Sequence, residues 1–351
     1  MTDLQGSTFL RACRGEKTPH TPVWLYRQAG RYMPEYHALK GNTSSLDFFK
    51  TPHMAAQATC DAQRILGVDA AILFADLLPI VEPMGLRLDY LPGVGPKIDN
   101  PVRTNEDIDA IMVQPAVEQM PYIEEAITLI NRELPDGIPL IGFTGAPFTL
   151  ASYAIEGQGS KNYVHAKRMM HSDSGAWHAL LEKITDCVID YGRYQIESGV
   201  SALQLFDSWV GTLSPADYSE YVMPHTMRAF RELSKTGGAG HPVPLIHFGT
   251  GNPALLPLMA EAGGDVLGVD WRADLMTVWD KTGATAVQGN LDPIILCSSV
   301  SAIESAAGKI LSEVDGRPGH VFNLGHGIIP ETPVDNVRRL VSLVHERTDR
   351  R

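Results

Sequence analysis

The sequence predicts an α/β chain folded as a single-domain (β/α)8 barrel of the TIM-barrel class with insertions, and three observations carry that expectation. Eight short apolar runs recur along the chain, at residues 22–26, 69–75, 139–144, 201–206, 244–248, 265–269, 285–288 and 320–324. Most are continuous rather than alternating, the pattern of strands buried on both faces of a parallel sheet. Stretches with apolar residues three and four apart lie between them, and every run ends on polar or small residues.

In chain order, the first run is followed by Arg27 and Arg31, the second by Asp76 and the third by Gly145, Ala146 and Pro147. The fourth leads into Asp207, Ser208 and Trp209, the fifth into Gly249, Thr250 and Gly251, and the sixth into Asp270 and Trp271. The seventh gives Gly289 to Pro293, and the eighth gives Gly325, His326 and Gly327. In a barrel these positions fall at the strand ends where catalytic groups sit. Residues 53–66, 173–197 and 334–345 read as helices; the second carries Leu180, Leu181, Ile184, Cys187, Val188 and Tyr191 along one face. An insertion over 79–137 contains a glycine-flanked stretch, 85–95, that predicts a hairpin beside the barrel mouth. The whole chain, 1–351, is expected to be one barrel domain with its core over about 20–347. A doubly wound open sheet would place a glycine-rich turn after the first strand. The residues there are Arg-Gln-Ala-Gly-Arg, with a single glycine between two arginines.

Bulk properties narrow the function classes. The hydrophobic fraction of 44% suits a globular core, and no run of 18 apolar residues or N-terminal apolar segment predicts a membrane span or a secretory leader. The net charge of −12 disfavours nucleic acid as a partner. An anionic small molecule instead requires arginines gathered at one site. The four cysteines, Cys13, Cys60, Cys187 and Cys297, are scattered, which fits reduced thiols in a cytoplasmic protein and argues against a structural zinc site.

Candidate site residues follow from the run ends. Arg27 and Arg31 flank Gln28, Ala29 and Gly30, forming a fork for carboxylates with backbone N–H groups beside it. Asp76 ends an apolar run and is followed by Leu77, Leu78, Pro79 and Ile80; an ionised group in such company needs a cationic or N–H-rich partner. Phe74, Phe143 and Phe206 lie near run ends and suit the wall of a pocket for a large flat ligand. Tyr153, Ser208 and His326 are polar groups within reach of the same mouth, with Asp207 as support behind Ser208.

The stretch PVWLYRQAGRYMPEY at 22–36 resembles the first signature of the uroporphyrinogen decarboxylase family, and GFTGAPFTL at 142–150 resembles its second. Further similar stretches are ILFADLLPIVEPMGL, QLFDSWVGTLSP, GVDW, QGNLDP and FNLGHGIIPETPVDNV, in the family's order and across nearly the whole chain. Tyr26 stands where methionine is frequent, and Gly249-Thr250-Gly251 replaces a loop that often contains lysine. The resemblance implies a barrel enzyme, commonly a homodimer, that needs no metal or organic cofactor. It implies removal of the four acetate carboxyls of uroporphyrinogen III to give coproporphyrinogen III in haem biosynthesis. It further implies that Arg27 to Arg31 bind substrate carboxylates, that Asp76 binds the central pyrrole N–H groups, and that Tyr153, Ser208 and His326 complete the contacts.

Loss of CO2 leaves a carbanion that needs an electron sink, which many enzymes draw from a cofactor. A reduced pyrrole supplies its own once a ring carbon is protonated. The catalytic set expected is therefore an anion near the pyrrole nitrogens, Asp76; cations for carboxylates, Arg27 and Arg31; and proton donors, for which His326 and Tyr153 are the chemical candidates. Two rival readings are a zinc-dependent corrinoid or thiol methyltransferase of the related barrel family and a non-catalytic tetrapyrrole-binding protein. The first needs thiolate and imidazole ligands, and the chain has no His-x-Cys pair.

Overall fold

In the computed structural model, which describes residues 4–91, 93–238 and 241–350, the chain builds a curled parallel sheet wrapped by helices. The strands are β1 (Ala71–Ile72), β2 (Leu88–Leu91), β3 (Gly95–Ile98), β4 (Leu140–Gly145), β5 (Ala202–Asp207), β6 (Gly237–Gly238), β7 (His241–Pro242), β8 (Leu245–Gly249), β9 (Val266–Gly268), β10 (Ala286–Leu291) and β11 (His320–Leu324). Seven of them form the main sheet in the order β1-β4-β5-β8-β9-β10-β11. All its pairings are parallel, from Ala71 opposite Leu140 to Leu291 opposite Leu324. The strands of β4, β8 and β11 are buried at every position, as continuous apolar runs require.

The first expected strand, 22–26, enters as an isolated parallel bridge from Val23 to Phe322 and not as a regular strand. Side chains take most of its backbone donors. Val23 N–H goes to Asp69 Oδ2 at 2.7 Å, Leu25 N–H to Gln28 Oε1 at 3.1 Å and Tyr26 N–H to Asn323 Oδ1 at 3.1 Å. The segment still joins both edges of the sheet: Phe322 N–H donates to Pro22 O, and Asp69 N–H donates to Val23 O, each at 2.8 Å. The ring of strands closes through it. β1 is shorter than the run 69–75 because Phe74 N–H turns away to Thr59 Oγ1 at 2.9 Å.

Helices fall where the periodicity places them, at Pro52–Leu66, Ser174–Ser198 and Val334–Thr348. The hairpin of the insertion is real and sits slightly later than expected, with β2 and β3 paired antiparallel from Leu88–Ile98 to Leu91–Gly95. None of the described helices is long and apolar enough to cross a membrane.

The barrel interior is a packed core. Trp24, Tyr26, Ile141, Ile246, Phe248 and Val321 fill it, and Phe9 and Leu10 of the short helix Thr8–Cys13 join the same cluster. Its polar groups are satisfied from within: Gln288 Oε1 accepts from Trp24 Nε1 at 2.7 Å, while Gln288 Nε2 donates to Tyr26 Oη at 2.6 Å and to Gln204 Oε1 at 3.0 Å. Gly268 makes room for this layer, since a Cβ there would stand 2.9 Å from that of Phe248 and 3.1 Å from Tyr26 Oη. Above this floor the strands open onto the candidate site.

Candidate active site

Arg27 is placed by a turn that its own sequence resists. Its φ is +61°, a conformation costing a non-glycine residue roughly 1 kcal/mol, so surrounding contacts must hold it. Gln28 does much of this: its N–H donates to Leu25 O at 3.0 Å, its Oε1 accepts from Leu25 N–H, and its Nε2 donates to Ala70 O at 3.2 Å. Tyr32 Oη binds Gln28 O at 2.6 Å, and Ile328 N–H reaches Tyr26 O at 2.9 Å. The Gln28 side chain, expected among the substrate contacts, is thus buried and fully engaged inside the protein. Arg27 lies across Gly327, where a Cβ would stand 2.7 Å from Arg27 Cδ. Glycine at that position gives the guanidinium its path over the mouth.

Arg27 and Arg31 are both exposed, and among the described residues neither guanidinium has a carboxylate within 4.0 Å. The backbone N–H groups of Ala29, Gly30 and Arg31 likewise meet no acceptor there, while Gly30 O is taken by Met33 N–H at 3.0 Å. Cations and oriented amides left open side by side suit an anionic ligand.

Asp76 is half-buried just beyond β1. Both of its protein donors fall on one oxygen: Leu78 N–H reaches Oδ1 at 3.1 Å and Tyr90 Oη reaches it at 2.6 Å. Oδ2 receives no donor from the described residues. The Tyr90 hydroxyl was not foreseen; it arrives from the hairpin of the insertion.

Tyr153 stands on the helix Pro147–Glu156, packed edge-on against Trp209 at 5.7 Å between ring centroids. Burial and the nearby Asp76 charge push its phenol up to about 12, against opposing contributions from Trp209 and Arg27. Its proton therefore stays on at neutral pH. The His326 ring touches solvent yet is crowded by protein, and this desolvation, with the Arg27 charge next, lowers its affinity for a second proton. Nδ1 accepts Gly327 N–H at 2.8 Å, so the neutral ring carries its proton on Nε2 and offers a donor there. The Arg27 charge thus acts on both Tyr153 and His326, and the Asp76 charge on Tyr153.

The Ser208 hydroxyl is half-buried and makes no hydrogen bond to the described residues. Behind it, Asp207 is fully buried; its Oδ1 accepts from Thr149 Oγ1 at 2.8 Å and its Oδ2 has no partner among the described residues. Burial raises its carboxyl to about 7. The three phenylalanines divide. Phe143 and Phe206 meet at 5.7 Å and continue to Tyr26 and Phe248. Phe74 joins Tyr36, Phe48 and Phe49 instead, at 5.2–5.9 Å. Arg272 is a further cation at the mouth, 4.2 Å over the Trp271 ring and bonded to buried Asp270 at 2.8 Å. Its signal was present in the sequence, in the step after Asp270 and Trp271.

The thiols do not gather here: Cys13, Cys60 and Cys187 are buried apart, and the exposed Cys297 lies 3.6 Å from Thr332 Oγ1. Comparison with known proteins gives a consistent outcome. The family model for uroporphyrinogen decarboxylase (URO-D) matches residues 4–347. The uroporphyrinogen decarboxylase of Carboxydothermus hydrogenoformans is 52% identical over 340 residues, covering 97% of this chain and 96% of that protein. That of Chloroflexus aurantiacus is 50% identical over 337 residues, covering 96% and 94%. Among solved structures, a methyltransferase from Methanosarcina mazei superposes with a TM-score of 0.82 at 20% identity over 99% of both chains. A putative vitamin-B12 independent methionine synthase from Listeria monocytogenes gives 0.54 at 14% identity over 95% and 97%. At such identities the structural likeness speaks for the fold alone.

Proposed function

The chain belongs to the uroporphyrinogen decarboxylase family, and we propose that it removes the four acetate carboxyls of uroporphyrinogen III to yield coproporphyrinogen III and four CO2. One observation carries the reading beyond family membership. A half-buried carboxylate, Asp76, has its protein donors on a single oxygen, its charge and that of Arg27 both act on Tyr153, and among the described residues neither Arg27 nor Arg31 has a carboxylate partner. A ligand with N–H groups at its centre and carboxylates at its rim satisfies both.

The chemistry follows from charge. Protonation of a pyrrole ring carbon next to the acetate-bearing carbon makes the ring cationic at nitrogen. The C–CO2 electron pair then moves into the ring, CO2 leaves, and a second proton on the exocyclic carbon forms the methyl group. Asp76 stabilises the positive charge as it develops, without reorganising at the moment of reaction. Arg27 and Arg31 hold carboxylates around the reacting one, with the open N–H groups of residues 29–31 adding donors. Gln28 serves by holding the Arg27 turn. Tyr153 and His326 keep their protons at neutral pH and would donate hydrogen bonds to substrate, as would Ser208. Neither is a strong acid in this state, so delivery of each proton through water or a substrate carboxyl fits the site better than direct transfer.

We read the whole chain as one barrel domain and, on the family's habit, as a homodimer in the cytoplasm. Sedimentation of the purified protein reads the subunit number. The activity is tested by anaerobic incubation with uroporphyrinogen III, following hepta-, hexa-, penta- and tetracarboxylate products and released CO2. Successive loss of carboxyls is the expected result. Tight binding with no CO2 would leave a tetrapyrrole-binding protein in its place.

A further inference from the structure

The insertion between β1 and β4 has no part in closing the barrel, yet it delivers a hydroxyl to the centre of the site. We propose that Tyr90 is a positioning residue for the decarboxylation: its hydroxyl fixes the Asp76 carboxylate so that Oδ2 alone is presented to the ligand's N–H groups. This rests on the proposed function and deepens it.

Hydrogen bonding, docking and ring packing support the role. Tyr90 Oη lies 2.6 Å from Asp76 Oδ1, at the short end of hydrogen bonds to a carboxylate. Leu78 N–H donates to the same oxygen at 3.1 Å, so both donors pin one edge of the group and leave the other open. A carboxylate with a single donor could swing about its Cβ–Cγ bond; two donors on one oxygen oppose that rotation.

The hairpin carrying Tyr90 is docked and not a loose flap. β2 and β3 pair over four positions, and Ile98 N–H donates to Gly157 O at 2.6 Å. Lys97 forms an antiparallel bridge with Gln158, just past the helix that bears Tyr153. The hairpin and that helix therefore place Tyr90 and Tyr153 as one unit around Asp76. The Tyr90 ring is wedged edge-on against Phe49 at 5.6 Å, and Phe49 packs on Phe74 at 5.9 Å. Ring packing leaves the hydroxyl little choice of direction.

The hydroxyl also stays a donor. Burial, and then the charge of Asp76, raise the Tyr90 phenol far above its ordinary range. The titratable groups around it are Asp76, Tyr153 and Glu82, the last neutralised by Lys50 at 2.9 Å. None of them competes as a donor for Asp76 Oδ1.

The test compares Y90F, which removes only the hydroxyl, with Y90L, which also removes the ring. Steady-state kinetics with uroporphyrinogen III are measured together with thermal melting and anaerobic calorimetry of substrate binding. Y90F is expected to melt within a few degrees of the wild type and to lose about ten- to a hundredfold in kcat/KM, as for a hydrogen bond to a charged group. The loss is expected in kcat more than in KM, because a carboxylate free to rotate still meets the ligand but no longer faces the developing charge. Wild-type kinetics in Y90F overturn the proposal, even where Y90L is impaired, since ring packing alone would then account for Tyr90. A fall in activity matched by a fall in melting temperature, with kcat per folded molecule unchanged, overturns it equally. If the wild type binds the substrate without releasing CO2, the functional reading fails by itself. The calorimetric comparison then decides the positioning role, with weaker binding by Y90F supporting it and equal binding rejecting it.

Discussion

Asp69 and Asp76 bracket the same strand, one before β1 and one after it, and the protein treats them in opposite ways. Asp69 is saturated. His20 Nε2 meets its Oδ1 at 2.8 Å, and His345 Nε2 and Val23 N–H meet its Oδ2 at 2.7 Å each. Burial alone would raise this carboxyl, yet the two histidine hydrogen bonds hold it below its usual range. Those partners come from the N-terminal segment and from the last helix, so Asp69 ties the two ends of the chain to the sheet. Asp76 keeps one oxygen free and has no cation within 4.0 Å among the described residues. On the proposed function, the contrast separates structural carboxylates from functional ones by what the protein leaves unpaired. A buried polar group normally finds its partners within the fold, and an exception marks the place of a ligand.

Substitution at the two positions should therefore move different quantities. The largest effect is expected for Asp76→Asn, which keeps shape and removes charge. Its kcat should fall by about 10²–10³-fold, the range for removing one preorganised electrostatic contact, while its melting temperature stays near that of the wild type. Turnover near the wild-type rate would dissolve the distinction. Arg27→Ala should come next, with kcat/KM down about ten- to a hundredfold and KM raised, because it removes a charge-assisted contact along with correct orientation. Unchanged kinetics in that variant would take Arg27 out of the site.

Asp69→Asn should do the reverse of Asp76→Asn: kcat unchanged, and stability to urea reduced by about 1–3 kcal/mol through weakened hydrogen bonds. The pH dependence has a definite sign. A carboxyl lowered in the folded state contributes stability that is present above its unfolded value of 3.8 and lost as pH falls through the lower folded value. The difference between wild type and variant should therefore shrink at pH below about 4. A loss of turnover with no loss of stability would invert the assignment of the two ends.

The same contrast explains what the sequence made legible. β4, β5, β8 and β11 were readable because burial on both faces writes a continuous apolar run. The segment 22–26 read as a strand and is a single bridge, because Asp69, Gln28 and Asn323 side chains claim its donors from 46, 3 and 297 residues away. No local pattern encodes the two distant partners, Asp69 and Asn323. For the candidate site, position after the runs was enough to nominate Arg27, Asp76, Ser208 and His326. Tyr90 could not, because its place depends on how the hairpin docks against Gly157 and Gln158. Gln28 shows what adjacency leaves unread: its place between two arginines suggested a ligand contact, and the structure adds that its side chain braces the turn.

Asp207 offers the finest test, being neither saturated like Asp69 nor open like Asp76. Thr149 satisfies one oxygen, none of the described residues satisfies the other, and burial raises the carboxyl from 3.8 to about 7. For a group raised in the folded state, stability is fully present below the unfolded value and is lost as pH climbs through the folded one. Over roughly pH 4–7 the wild type should thus be penalised increasingly for ionising this side chain in a dry place. Asp207→Asn removes the ionisation and keeps an acceptor for Thr149, at the cost of an amide N–H facing the position where Oδ2 had no partner. Relative to the wild type, the variant should gain about 2–3 kcal/mol between pH 5 and pH 8, at about 1.4 kcal/mol per pH unit up to the folded value, measured as urea stability at the two values. A variant less stable at pH 8 than at pH 5, relative to the wild type, would mean that ionised Asp207 is stabilised by a ligand-like partner. In that event Asp207 belongs with Asp76 among the groups the fold leaves open for chemistry.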